Sequence, residues 1–230
     1  MRRSSIRSIV ISIIILIGAC AIALAGLQVV RSKSRWDAAN RVALSIMINR
    51  DLFVGLTQLQ TELGWGISAL AQEPAVNRTY RDVVRGSRQP FDTAVDRARA
   101  ELSRMSDTAS AVGTEEFRSL LETWRRVRTH VDVPFEQPVT DRAPSLAKTL
   151  DDWGGRVLAT LEAASDATEA EIKALDPAFG IDLDARAATW RARVSAGRAS
   201  NVQDELVATQ RPVNWEGWTR LNTADTEART

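Results

Sequence analysis

Apolar residues fall into two regimes along this chain. From Ile9 to Val30 the sequence reads IVISIIILIGACAIALAGLQVV, 22 positions without a charge. Beyond Arg31, apolar residues recur every three or four positions among polar ones. A bilayer core about 30 Å thick is crossed by roughly 20 apolar residues of helix. The first regime therefore predicts a transmembrane helix over 9–30, after a cytoplasmic tail at 1–8 that carries Arg2, Arg3 and Arg7. Arg31, Lys33 and Arg35 follow the run, so charge alone does not fix its direction. Two other readings stay open. Ala23-Leu24-Ala25 before Gly26 has the form of a signal-peptide cleavage site, and Ile17-Gly18-Ala19 before Cys20 that of a lipidation site. The length of the run, and the ten uncharged residues that follow Cys20, favour a retained anchor. Trp36, one turn past the run, fits an interfacial aromatic or a partly buried core residue equally well.

The second regime predicts a helical body over 31–230, in halves of about 31–133 and 144–230. Leu44, Ile48, Leu52, Leu56, Leu59, Leu63, Ile67 and Leu70 form one seam at three- and four-residue steps, so a helix covers 40–71. No Pro or Gly interrupts 31–54, so the membrane helix is expected to run directly into it. Glu73-Pro74 closes it. A second helix is expected over 77–107, through Tyr80, Val84, Phe91, Val95, Ala98, Leu102 and Met105, kinked at Pro90. Thr114 is a good N-cap for a third, with Glu115 and Glu116 in its first turn and Phe117, Leu121, Trp124, Val127 and Val131 as its seam. Pro134, Pro138 and Pro144 mark a loop over 132–144. A fourth helix follows from Ser145 to Leu175. Gly154-Gly155 weakens it by about 2 kcal/mol against alanine, which a close approach of two helices would explain. A fifth runs from Asp182 to Thr209 through Trp190, Val194, Gly197 and Leu206, and Asn214 caps a last segment with Trp215, Trp218 and Leu221. No stretch alternates with period two. The fold class is all-α: an N-terminal transmembrane helix continuing into an antiparallel helical bundle.

Composition removes several function classes. Three of the 30 basic residues precede the apolar run and no acid does, which leaves 27 basic against 29 acidic residues in the body. No basic face is implied, and nucleic acid is not an expected partner. Cys20 and His130 are the only residues of their kinds. That excludes a disulfide framework and a Cys- or His-rich metal cluster, and no cofactor or metal is expected. His130 lies near a helix end, where it offsets the helix dipole. No phosphate loop, dinucleotide fingerprint, zinc-protease motif or nucleophile elbow occurs, so an enzyme is not expected.

Leu59-Gln60-Thr61-Glu62-Leu63-Gly64 resembles the leucine-glutamine-x-glutamate-arginine-glycine signature of the nitrate- and nitrite-sensing domain and its relatives. Ala188-Thr189-Trp190-Arg191-Ala192-Arg193-Val194-Ser195-Ala196-Gly197-Arg198 resembles the Trp-x-x-Arg-x-x-x-Gly element in the second half of such domains, and Arg211-Pro212 follows it. The likeness spans about residues 30–225. It implies an extracytoplasmic helical input domain of a bacterial chemoreceptor, histidine kinase or diguanylate cyclase, anchored in the inner membrane with its body in the periplasm. It also points to Glu62 and Trp65, with Trp190, Arg193 and Arg198, as candidate ligand-binding residues. Two departures stand out. Leu63 replaces the family's arginine and, by its place in the seam, faces the interior, which removes the bidentate donor that a small anion would need. The second membrane helix and output module usual in such receptors do not lie within these residues, so the chain is expected to be a fragment, a truncated gene product or a stand-alone remnant of one. The functional expectation is a membrane-anchored sensory input domain. Its expected partners are the lipid bilayer, a small-molecule ligand and a second copy in a homodimer. The alternative is an anchored or secreted helical scaffold that binds another protein.

Overall fold

A computed structural model describes the backbone of residues 6–104 and 111–209, and the side chains of 15–104 and 112–197. The protein is all-α. Five helices are described: α1 Ile6–Ala71, α2 Arg78–Leu102, α3 Glu115–Asp132, α4 Leu146–Leu175 and α5 Gly180–Thr209. Short 3-10 turns at Ala111–Gly113, Pro134–Glu136, Val139–Asp141 and Pro177–Phe179 connect them. Residues 1–43 and 44–230 form two compact units.

In the first unit, Ile17, Ile22, Leu24, Val29 and Val30 all present most of their side chains outward. Among the described residues, α1 is the one helix long and apolar enough to cross a membrane, and no protein covers its apolar window. Leaving such side chains in water costs about 25 cal/mol per Å² of apolar surface, so lipid is the solvent this surface suits. Trp36 is exposed rather than partly buried, and Cys20 is a free, exposed thiol.

The second unit is built on the seam read from the sequence. Ile48, Leu52, Leu56, Leu59, Leu63 and Leu70 are buried, and Leu44 and Ile67 pack at the edge of the same core. Val84, Phe91, Val95 and Leu102 from α2 join it, as do Phe117, Leu121, Trp124 and Val131 from α3. Leu150, Val157 and Leu161 bring in α4, and Trp190 brings in α5. Helix α2 continues through Pro90 without a break. Met105 and residues 106–107, expected in that helix, lie outside the described residues, as do Asn214, Trp215, Trp218 and Leu221.

The glycine pair in α4 divides in two. A Cβ built on Gly154 would collide with the Leu63 side chain, so this glycine lets α4 approach α1 closely. Nothing lies near Gly155. Helix ends are closed by side chains. Thr114 caps α3 by accepting from the Phe117 amide at 3.2 Å, and His130 occupies its last turn. Thr114→Ala should therefore lower stability by about 1 kcal/mol in chemical unfolding. The last carbonyls of α1 are met from afar. Arg142 donates to the oxygens of Ala69 and Leu70 at 3.0 and 2.6 Å, and Asn77 donates to Ala69 O and Phe135 O. The proline-rich connection is thus tied to the end of α1.

Candidate functional site

Two polar constellations are buried in the second unit, on different faces of α1. The first centres on Glu62, whose side chain is 1% exposed. Arg128 of α3 donates to it through Nε at 2.9 and 3.0 Å and through Nη2 at 2.6 Å. Arg88 of α2 adds Nε at 2.9 Å. Both arginines are shared outward. Arg88 grips Asp132 with two bonds of 2.9 and 2.8 Å, and Arg128 Nη1 reaches Asp92 at 3.0 Å. Arg128 also lies 4.8 Å above the Phe91 ring and 5.3 Å from that of Trp124. Three helices are therefore joined through one carboxylate and two guanidinium groups. Burial pushes the Glu62 carboxyl above its usual range, and the charges of Arg128 and Arg88 oppose that rise. Arg88, despite its own burial, is held more basic than usual by Asp132 and Glu62.

The second constellation surrounds a cavity of about 500 Å³ between Phe53 of α1, α4 and α5. Phe53 and Trp190 meet edge to face, with centroids 5.8 Å apart. The Trp190 indole N–H donates to Glu162 at 2.9 Å. Arg186 lies 5.1 Å above the Phe53 ring and donates to Glu169 at 2.5 Å. The Arg186 Nε hydrogen is buried and has no acceptor among the described residues.

The candidate ligand residues do not converge on one pocket. Glu62 belongs to the ion cluster and Trp190 to the cavity. Trp65 is 41% exposed and packs on Tyr80 of α2, with centroids 5.0 Å apart. Arg193 is exposed and fastens α5 to α1: its Nε donates to Gln60 Oε1 at 3.2 Å, its Nη2 donates to Thr61 at 3.3 Å, and its carbonyl accepts from Gln60 Nε2 at 3.2 Å. The side chain of Arg198 lies outside the described residues. Leu63 is buried, as the seam requires, and points at Gly154 of α4.

Sequence reasoning missed Arg88, Arg128, Phe53, Glu162, Glu169 and Arg186. The first two carried a signal. Arg128 follows Trp124 by four positions, and Arg88 lies midway between Val84 and Phe91, so both sit on apolar seams where a charge needs a buried partner. The cavity residues had no comparable signal, because Phe53 lies beside the main seam of α1. No protein-family model, curated protein or solved structure matches this chain.

Proposed function

We propose that this protein is a membrane-anchored sensory input bundle that binds a small solute outside the cytoplasm. One observation carries the reading. The two segments that resemble sensor motifs are distant in the chain, yet they touch through Gln60 and Arg193, 133 positions apart. Gln60 and Arg193 exchange two hydrogen bonds, and a Cβ on Gly197 would stand 3.0 Å from Gln60 Nε2. Gln60, Arg193 and Gly197 thus act as one interhelical clasp, which gives each a physical reason to be the residue type it is. The exposed apolar run of α1 supports anchoring, and the aromatic-walled cavity between helices is the kind of place small solutes bind.

The anion of the resembled family is not the ligand we propose. A buried planar anion must exchange its hydration for charged donors. Arg88 and Arg128 are committed to carboxylates, Arg193 is committed to Gln60 and Thr61, and Leu63 stands where the family has arginine. Calorimetry of the full chain with millimolar nitrate and nitrite should show no saturable heat. Binding tighter than about 100 μM, roughly 5.5 kcal/mol, would contradict this.

The sensory reading itself is tested by thermal unfolding of the full chain in lipid nanodiscs against amino acids, organic acids, amines, sugars and inorganic anions. A solute present at a hundredfold excess over its Kd adds about 2.7 kcal/mol. That should raise Tm by about 5–10 °C for a chain of this size. The rise should vanish in Trp190→Ala. A protein that no solute stabilises, and that instead binds another protein saturably, would be a scaffold.

A further inference from the structure

The cavity lining specifies more than its size. α4 contributes three carboxylates, Glu162, Asp166 and Glu169, while Lys173, Arg186 and Arg191 bring three cations. A ligand with one charge would satisfy one set and lie unpaired against the other. Most of these groups are already engaged. Glu162 accepts from Trp190, Glu169 accepts from Arg186, and Lys173 donates to Asp184 at 2.6 Å. Two opposite charges remain. Asp166 has no hydrogen bond or ion pair among the described residues. Arg191 spends only its Nε, on the Ala187 carbonyl of its own helix at 3.4 Å. The edge-to-face pair of Phe53 and Trp190 lines the same cavity.

Building on the sensory reading, we propose that this cavity binds a small zwitterion with an apolar or aromatic group, in chemical class a free α-amino acid. The ammonium pairs with Asp166. The carboxylate takes the open edge of the Arg191 guanidinium. The side chain lies on the Phe53 and Trp190 rings, where it gains apolar burial. A ligand carrying both charges satisfies both groups, and an analogue that lacks one of them leaves a group without a partner.

The test uses four probes on the full chain in nanodiscs, read by calorimetry: L-phenylalanine, phenethylamine, 3-phenylpropionate and glycine. L-Phenylalanine should bind saturably below about 1 mM, with the other three weaker by about tenfold or more. Asp166→Asn and Arg191→Gln change exposed side chains, so both variants should fold, and each should weaken L-phenylalanine by about tenfold. An amine or carboxylate analogue that binds as tightly as L-phenylalanine overturns the inference, as does no L-phenylalanine heat up to about 10 mM. Unchanged affinity in both variants overturns it too. The sensory reading is judged apart: a solute of another class that stabilises the protein in the thermal panel preserves that reading while the zwitterion falls.

Discussion

Replacing Arg128 with methionine should destabilise the protein by about 3–5 kcal/mol near pH 8, the usual cost of stranding one partner of a buried ion pair. Arg128 makes three of the four hydrogen bonds that Glu62 receives from the two arginines. Without it, a carboxylate that is 1% exposed depends on Arg88 alone, which must also hold Asp132. The pH dependence follows from the direction of the Glu62 shift. Its carboxyl is more basic when folded than when unfolded, so between the two values the folded chain binds the extra proton. The stability this group contributes is therefore full below the ordinary carboxylate range and falls as pH rises through the folded value. Removing Arg128 takes away the largest opposing charge and raises that folded value further. The loss in Arg128→Met should accordingly shrink between pH 8 and pH 5, where Glu62 can take a proton. Denaturant midpoints across that range check it; an equal loss at both ends would show that Glu62 keeps its charge without Arg128. Pairing the change with Glu62→Gln should recover part of the loss, because a neutral amide needs no counter-ion.

The contact between Leu63 and Gly154 should show the second large effect. Leu63→Ala removes a buried side chain and should cost about 2–5 kcal/mol. Gly154→Ala adds a methyl group where Leu63 already stands, and overpacking of that kind costs about 1–3 kcal/mol. The two changes occupy the same space, so they should not add. The alanine at 154 partly fills the void left at 63, and the double variant should be more stable than the sum of the single losses predicts by at least about 0.5 kcal/mol. Additive losses in equilibrium unfolding would mean that the helices move apart rather than share this volume. The same geometry bears on ligand choice. An arginine at 63 would need room that α4 occupies, so the family's anion donor cannot be restored by that one substitution.

These expectations rest on features that were open to sequence reading to different degrees. The long apolar run, the helical class and the α1 seam follow from local pattern, because an apolar stripe of helical spacing has one stable way to be buried. The Thr114 cap and the end of α1 before Pro74 are likewise local, set by backbone chemistry within a few residues. Leu63 as a core residue follows from the same stripe.

Partnerships between helices were another matter. Glu62 could be picked out as a candidate, but its neighbours lie 26 and 66 positions away, on α2 and α3. Their charges sat on apolar seams as a visible anomaly, while the seams alone could not say which carboxylate would meet them. The sequence also grouped Glu62, Trp65 and Trp190 in one pocket. Rotation about α1 separates the Trp190 site from Glu62: the nine positions between Phe53 and Glu62 place them on opposite sides, at about 180°, whereas Trp65 lies only about 60° from Glu62 and packs on Tyr80 of α2. Phe53 therefore reaches α5 while Glu62 reaches α2 and α3. The cavity, its balanced charges and the clasp of Gln60 with Arg193 exist only once five helices are packed. Spacing along the chain determined which face of each helix is buried. Only the packed bundle decided which faces meet, because that choice depends on side-chain volume and charge brought together from distant segments.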